Sequence, residues 1–334
     1  MREIESVLAA LRHSPGVTSA LATLVRIEGS SYRRPGARML IIPDREPIGS
    51  ISGGCLEGDV AERARRVVAT GRPELAVYDT TNENDLIWGV GTGCRGVVHV
   101  LIEPIGAVRP SWMETLESNL GSRETTELSV GFGQGHGFLG TRLTRDLSEL
   151  ERAGAFNEVV TPPPSLTLFG AGEDARPLSR LAKELGWCVN VVDSRSALAT
   201  RERFLGVDSV LVAPCGSLDE HIELDERSHV VVMTHRFEDD LRLLQVILSR
   251  PLAYVGIVGS RQRTERILEQ LREEGAPLCA DSLANLSGPA GLDIGATTPE
   301  AIALSILAEI QCVMSGRGAA RLRDRKSSIH ARVA

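Results

Sequence analysis

The chain has 334 residues and a hydrophobic fraction of 42%, which is ample for about two domains with buried cores. Its formal net charge of −7 argues against nonspecific nucleic-acid binding, and no run of about 18 apolar residues predicts a membrane-spanning helix. Residues 1–16 lack the apolar segment of a signal peptide and predict an amphipathic helix, so we expect a cytoplasmic protein. The six cysteines form no CxxC pair, which disfavours zinc-ribbon and thioredoxin-like sites.

Residues 1–106 predict a small α+β domain that begins with the amphipathic helix. Strands are expected at 20–27, 38–42, 48–52 and 97–103, with a second helix at 56–70. Gly71 and Pro73 follow that helix and would end it. Residues 107–160 show no clear period, and we expect any strands there to extend the first domain, which we therefore place at 1–160.

The prolines at 162–164 predict a linker, because consecutive prolines favour an extended backbone. Beyond them, strands are expected at 166–169, 188–193, 209–213, 230–234 and 253–258, with helices between them. Their apolar, β-branched composition is typical of a parallel sheet that is covered on both faces. Thr298 is predicted as the N-cap of the last helix, with Pro299 in its first turn. We expect a Rossmann-like, doubly wound domain at 161–314 and a flexible basic tail at 315–334.

The first strand of this second domain runs into a GxGxxA motif that contains Gly170 and Gly172. Such glycines permit a tight turn and let a pyrophosphate approach the following helix, while Asp193 stands where a carboxylate would bind a ribose. Alternatively, the glycines serve only the turn. The acidic side chains of Glu173 and Asp174 favour this second interpretation, because they would repel phosphate.

A glycine pair precedes the second helix of the first domain, in the sequence Gly53-Gly54-Cys55-Leu56-Glu57. A cysteine at a helix N-terminus is favoured as thiolate, and a thiolate is a ligand for soft metals or sulfur. The glycines would admit a bulky ligand, and backbone N–H groups there would bind an anion. We count Gly53, Gly54, Cys55 and Glu57 as candidate binding residues, with Cys55 as the candidate metal ligand. The alternative is a small buried cysteine in a turn.

Two further segments are candidates for binding. Gly93 and Cys94 belong to a second glycine-rich segment, although no helix follows them, and a plain strand connection is the alternative. Ser260 is a predicted N-cap with Arg261 and Arg263 in the first turn. Cations there oppose the helix dipole, which makes sense if an anion binds between them. Solvated surface arginines are the alternative interpretation.

Several motifs together resemble the xanthine dehydrogenase accessory family (XdhC/CoxI). They occur in the family's order and span both domains. The matching stretches are GSSYRRPGARMLI, GSISGGCLEGDV, WGVGTGCRGVVHVLIEP, LTLFGAGEDARPLSRLAKELGW, VVVMTHRFEDDL, YVGIVGSRQRTERIL and GLDIGATTPEAIALSILAEI.

The resemblance implies a chaperone that binds the molybdenum cofactor, keeps it for sulfuration and passes it to a xanthine or carbon monoxide dehydrogenase-type molybdoenzyme. It implies a cysteine desulfurase as a second partner, and we also expect a homodimer. The family cysteines correspond to Cys55 and Cys94, although many relatives carry glycine where Arg95 stands here. The alternative hypothesis is an NAD(P)-dependent oxidoreductase that uses the GxGxxA motif, but the sequence has no convincing Lys–Tyr or His–Asp spacing for it.

Overall fold

The computed structural model describes residues 2–80, 96–133, 137–215 and 222–326, and it divides the chain into two compact units, Met1–Pro163 and Pro164–Ala334. The first unit contains a five-stranded antiparallel sheet in the order β3-β2-β1-β5-β4. Its elements are α1 (Arg2–Arg12), β1 (Ser19–Gly29), β2 (Arg38–Ile41), β3 (Ile48–Gly49), α2 (Glu57–Thr70), β4 (Glu74–Asp79) and β5 (Gly96–Ile105).

Helix α2 covers one face of this sheet, because its apolar residues recur every three or four positions. Val60, Ala64 and Val67 are buried and pack against strand residues such as Leu24 and Val100. The left-handed backbone of Gly71 ends the helix, as its sequence predicts. Strand β4 was missing from the sequence prediction, although its residues alternate between exposed and buried.

The stretch with no clear period also belongs to the first unit, but its strands form a separate antiparallel sheet in the order β7-β6-β8. Val130 of that sheet packs with Val25 and Leu101 of the five-stranded sheet, so the two sheets share a buried layer. The elements are α3 (Ser111–Gly121), β6 (Thr126–Gly131), β7 (Gly140–Leu143), α4 (Glu149–Ala153) and β8 (Phe156–Val160).

The second unit is built on a six-stranded parallel sheet in the order β11-β10-β9-β12-β13-β14. This order and the helices on both faces confirm the predicted doubly wound Rossmann-like fold. The elements are β9 (Ser165–Phe169), α5 (Ala175–Glu184), β10 (Cys188–Asp193), β11 (Ser209–Val212), β12 (Ser228–Val232), α6 (Phe237–Ile247), β13 (Tyr254–Ile257), α7 (Arg261–Glu273), α8 (Ala280–Ala284), β14 (Leu286–Ser287) and α9 (Pro299–Ser315).

Helices α5 and α9 contribute to one apolar cluster of this unit, and α6 and α7 contribute to the other. The strand order reverses between β9 and β12, and ligands of open α/β sheets bind outside the carboxyl ends of the strands at such a point. The predicted start of α9 is confirmed, since the Thr298 hydroxyl accepts a hydrogen bond from the Ala301 amide. None of the helices in the described residues is long and apolar enough to cross a membrane.

Candidate functional site

One end of the five-stranded sheet brings together three connections of the first unit. Gly29, at the end of β1, pairs with Gly96 at the start of β5, and Met39 of β2 pairs with Gly49 of β3. The β1–β2 loop, the β3–α2 loop and both ends of the β4–β5 connection therefore lie at this end. Gly93 and Cys94 belong to that last connection and lie outside the described residues.

The loop between β3 and α2 (residues 50–56, the Cys55 loop) is organised by one hydroxyl and one carboxylate. Ser52 Oγ accepts hydrogen bonds from the amides of Gly54 (3.2 Å) and Leu56 (3.1 Å). The Glu57 carboxylate accepts from the Ser52 amide (2.8 Å), the Leu56 amide (3.2 Å) and the Ser50 hydroxyl (2.9 Å), and the Ser52 hydroxyl donates to it as well. The structure thus turns Glu57, a predicted binding residue, toward the donors of its own loop.

Glu57 keeps its negative charge in this position. Burial of its carboxylate alone would raise its pKa, but the hydrogen bonds from Ser52 and Ser50 outweigh that effect and place the pKa below its ordinary value. An ionised carboxylate accepts hydrogen bonds more strongly than a neutral one, so the charge of Glu57 strengthens the network that fixes the loop.

The remaining groups of the Cys55 loop face outward. Within the described residues, the amides of Gly53 and Cys55 have no hydrogen-bond acceptor. The Cys55 side chain is exposed, with its sulfur 3.5 Å from Ser52 Oγ. Gly54 has φ +110°, and a Cβ built there would have no atom of the described residues within 4 Å. The loop therefore presents a thiol, two amides and open space at one surface.

The exposed state of Cys55 disagrees with the alternative interpretation of a buried turn cysteine. Its position also modifies the helix-dipole argument, because α2 begins at Glu57 with Leu56 at the N-cap position. Cys55 precedes that cap and lies just outside the helix, where the dipole effect is weaker.

The turn after β9 (residues 170–174, the Gly170 loop) uses its first glycine for packing. Gly170 has φ +121°, and a Cβ built there would lie 2.5 Å from the Met233 carbonyl oxygen. Its amide donates to the Val192 carbonyl at 2.8 Å. A Cβ built on Gly172 would have nothing within 4 Å. Gly170 is thus required by the close approach of two strand ends, whereas Gly172 lies beside open space.

Asp193 lies at the end of β10, where a ribose-binding carboxylate is predicted, but its oxygens are occupied. They accept hydrogen bonds from the Ala171 amide (2.7 Å), the Arg195 amide (2.8 Å) and Arg195 Nε and Nη2 (2.9 and 2.7 Å). A carboxylate offers about four lone-pair sites, so these four donors saturate it. Burial would raise the Asp193 pKa, but the Arg195 side chain and the two amides lower it below its ordinary value.

The acids of the Gly170 loop are also paired. Glu173 contacts Arg176 at 2.9 Å and Arg203 at 2.8 Å, and Asp174 lies 3.3 Å from His235 Nε2. The repulsion of phosphate by Glu173 that the sequence suggests is therefore offset by the guanidinium groups of Arg176 and Arg203. His235 itself has φ +62°, in the left-handed region that residues other than glycine seldom adopt.

Ser260 is the N-cap of α7, as predicted, with its hydroxyl accepting from the Arg263 amide at 3.3 Å. The two arginines bind different carboxylates. Arg261 contacts Glu265 on the exposed surface of α7, and Arg263 contacts the fully buried Asp240 at 2.5 Å. The structure therefore gives each guanidinium a protein partner, which the prediction of an anion between them did not include.

A small pocket at the carboxyl ends of β9, β10 and β11 is lined by polar residues that sequence reasoning missed, including Arg195, Cys215 and Asp239. Its accessible volume of about 10 Å³ is the space of roughly one water molecule. Burial and the charges of Asp239 and Asp193 raise the pKa of Cys215 to about 11, so this thiol stays protonated. Within the described part of the chain, no group of three His, Cys, Asp or Glu side chains is arranged to hold a metal ion.

Comparisons with known proteins agree with this architecture. A family model described as the XdhC and CoxI family matches residues 13–79, and one described as the XdhC Rossmann domain matches residues 166–310. The chain is 32% identical to a Bacillus subtilis (strain 168) protein that is named as a probable xanthine dehydrogenase subunit, over 87% of this chain and 92% of the relative.

Two further relatives cover most of the chain. The Escherichia coli (strain K12) protein named "Molybdenum cofactor insertion chaperone PaoD" is 25% identical over 89% of this chain and 84% of its own length. A crystal structure described as a xanthine dehydrogenase from Bacillus halodurans superposes with a TM-score of 0.81 at 30% identity, covering 96% of this chain and 97% of that one.

Proposed function

We propose that this chain, which belongs to the XdhC and CoxI family, binds the molybdenum cofactor at the Cys55 loop, holds it for sulfuration and delivers it to a molybdoenzyme of the xanthine or carbon monoxide dehydrogenase type. The name of the PaoD relative, a molybdenum cofactor insertion chaperone, supports the cofactor as the molecule that is handled. A cysteine desulfurase as sulfur donor and a homodimeric assembly are parts of the same proposal.

The observation that carries the proposal is the exposed thiol of Cys55 beside two amides and a glycine that, among the described residues, have no acceptor and no obstruction. A cysteine thiolate is a suitable ligand for molybdenum or for its sulfur, and backbone amides bind phosphate oxygens. Ser52 and Glu57 accept hydrogen bonds from the amides of Ser52, Gly54 and Leu56, and no described residue accepts from the amides of Gly53 and Cys55, which could bind the ligand. The residues present thus fit a large, anionic, sulfur-bearing cargo.

The carboxyl edge of the parallel sheet fits a nicotinamide dinucleotide less well. Asp193 has no lone pair left for a ribose diol, and the pocket beside it is too small for an aromatic ring. We therefore assign no hydride transfer to this chain and place the oxidoreductase alternative second.

The proposal is tested by purifying the full-length protein from cells that make the cofactor and assaying pterin and molybdenum in the protein fraction. We expect both in the wild type, and we expect Cys55→Ser to lower their retention at least about tenfold. Removal of a metal ligand should weaken binding more than removal of a residue that only hydrogen-bonds to a ligand, which already lowers affinity about tenfold or more. Circular dichroism should remain unchanged, because the side chain is exposed.

Cys312→Ser is the matched control, because Cys312 lies on α9 of the other unit. It should retain the cofactor like the wild type. Wild-type protein without pterin and molybdenum, or equal retention by Cys55→Ser, would contradict the proposal. NADH oxidation by the wild type at an ordinary enzymatic rate would favour the oxidoreductase alternative.

A further inference from the structure

The β1–β2 loop carries an aromatic side chain that lies directly beside the Cys55 loop. Tyr32 is 69% exposed, which is unusual for a large ring on a folded domain. A Cβ built on Gly53 would lie 3.8 Å from both Cγ and Cδ1 of that ring. The ring therefore lies beside the side-chain position that glycine leaves vacant at residue 53, while most of its surface is exposed.

The loop on which Tyr32 stands is fixed on its C-terminal side. Arg33 forms an ion pair with Glu3, the Gly36 amide donates to the Leu24 carbonyl at 2.8 Å, and the Ala37 amide donates to the Arg34 carbonyl at 3.1 Å. The ring thus stands beside Gly53 on an anchored loop, while most of its surface is exposed. A ring placed in this way supplies a flat apolar surface at low conformational cost.

The residue opposite the ring is glycine, and this keeps the space beside the ring clear. Any larger side chain at position 53 would extend from the built Cβ toward the ring, 3.8 Å away. Cys55 follows two positions later in the same loop with its thiol exposed. An aromatic face, the glycine backbone and a candidate sulfur ligand therefore lie near one another at one surface.

We propose that Tyr32 stacks on the planar pyrimidine ring of the cargo's pterin, while Cys55 contacts the metal or sulfur end of that cargo. This inference rests on the function proposed above and adds the group that recognises the organic part of the cargo. Stacking between an aromatic side chain and a heteroaromatic base is a substantial part of binding, since alanine substitution at such contacts weakens binding by about five- to 150-fold.

The test uses the full-length protein and two variants of Tyr32. Tyr32→Phe keeps the ring and removes only the hydroxyl, whereas Tyr32→Leu keeps an apolar side chain and removes the aromatic face. Each protein is titrated into free pterin (2-amino-4-oxopteridine) while the pterin fluorescence is followed, because stacking on an aromatic ring quenches it. Each is also purified from cofactor-producing cells and assayed for pterin and molybdenum.

We expect Tyr32→Phe to quench and retain pterin within about twofold of the wild type, and Tyr32→Leu to bind it about tenfold more weakly. Because Tyr32 is exposed, both variants should give the wild-type circular dichroism spectrum. If Tyr32→Leu quenches and retains pterin as strongly as the wild type does, the stacking role is overturned. Failure of the wild-type protein to quench pterin fluorescence would overturn it as well.

The two proposals fail in different ways. If the wild type retains pterin and molybdenum, Cys55→Ser loses them and Tyr32→Leu keeps them, the stacking role is wrong and the chaperone function stands. If the wild type purified from producing cells contains neither, the chaperone function is wrong.

Discussion

The Cys55 loop and the Gly170 loop are both glycine-rich turns between a strand and a helix, yet their glycines do opposite things. At Gly54, φ is +110° and no described residue comes within 4 Å of a built Cβ, so the glycine leaves a surface open. At Gly170, φ is +121° and the Cβ position is filled by the backbone of Met233, so the glycine permits packing. Similar sequence patterns thus create access in one unit and close contact in the other.

A carboxylate fixes each loop, and the loops differ in which polar groups remain exposed. Glu57 and Ser52 bind alternate amides of the Cys55 loop and leave an exposed thiol between them. Asp193 binds the Ala171 amide and is itself saturated by Arg195. Both carboxylates are thus occupied, and the Cys55 loop differs in the exposed thiol that it presents.

Gly170→Ala is the change with the largest expected effect on stability. Its new Cβ would meet the Met233 carbonyl at 2.5 Å in a backbone conformation that disfavours side chains, which we expect to cost about 2–5 kcal/mol. Gly172→Ala is the control and should change stability by less than about 1 kcal/mol, because its Cβ position is open. Denaturant unfolding of both variants measures the difference, and equal stabilities would show that Gly170 does not serve packing.

Asp193→Asn should have the next largest effect and lower the free energy of unfolding by about 2–3 kcal/mol at pH 7. The reason is that the neutral amide loses the charge-assisted hydrogen bonds from Arg195. The Asp193 pKa is lowered in the folded protein, so this stabilisation is complete above the unfolded pKa and is lost as pH falls through the folded value. The difference in free energy of unfolding between wild type and Asp193→Asn, measured in urea, should therefore narrow below about pH 5. A gap that widens on acidification would disagree with a saturated, ionised Asp193.

Gly54→Val should weaken cofactor retention about tenfold even though Cys55 is still present. The branched side chain fills open space at the ligand surface, and a loss of about 1.4 kcal/mol of binding free energy corresponds to tenfold weaker binding. The measurement is pterin per mole of purified protein, with Gly58→Ala in α2 as the control at another unobstructed glycine. Full retention by Gly54→Val would mean that the open space is not used.

Arg261→Ala should have the smallest effect. Its ion pair with Glu265 is exposed at both ends and separated by one helical turn, so the loss should be within about 0.5 kcal/mol. Delivery of active cofactor to the molybdoenzyme should also be unchanged, measured as the activity of that enzyme after loading. A clear loss of delivery with unchanged stability would indicate that Arg261 binds the ligand, as the sequence predicts, and that the carboxyl edge of the parallel sheet takes part in binding.

Much of the second unit could be predicted because its determinants are local. Apolar, β-branched segments gave the five principal strands within a few residues, and Thr298-Pro299 gave the start of α9. The first unit was less predictable. The alternating strand β4 was missed, and residues 107–160 gave no indication that their strands form a sheet of their own, because the residue pattern of a strand does not specify its partner.

The sequence by itself determined the two candidate loops, since a glycine pair before Cys55 and a GxGxxA turn after a strand are recognised from neighbouring residues. Only the tertiary structure decided what these loops present. The Asp193 contact with Ala171 spans 22 residues, and the position of the Tyr32 ring beside Gly53 brings together two separate connections of one sheet. Hydrogen-bond saturation and open space depend on which distant segments fold together, and the pattern of residues along the chain does not contain that information.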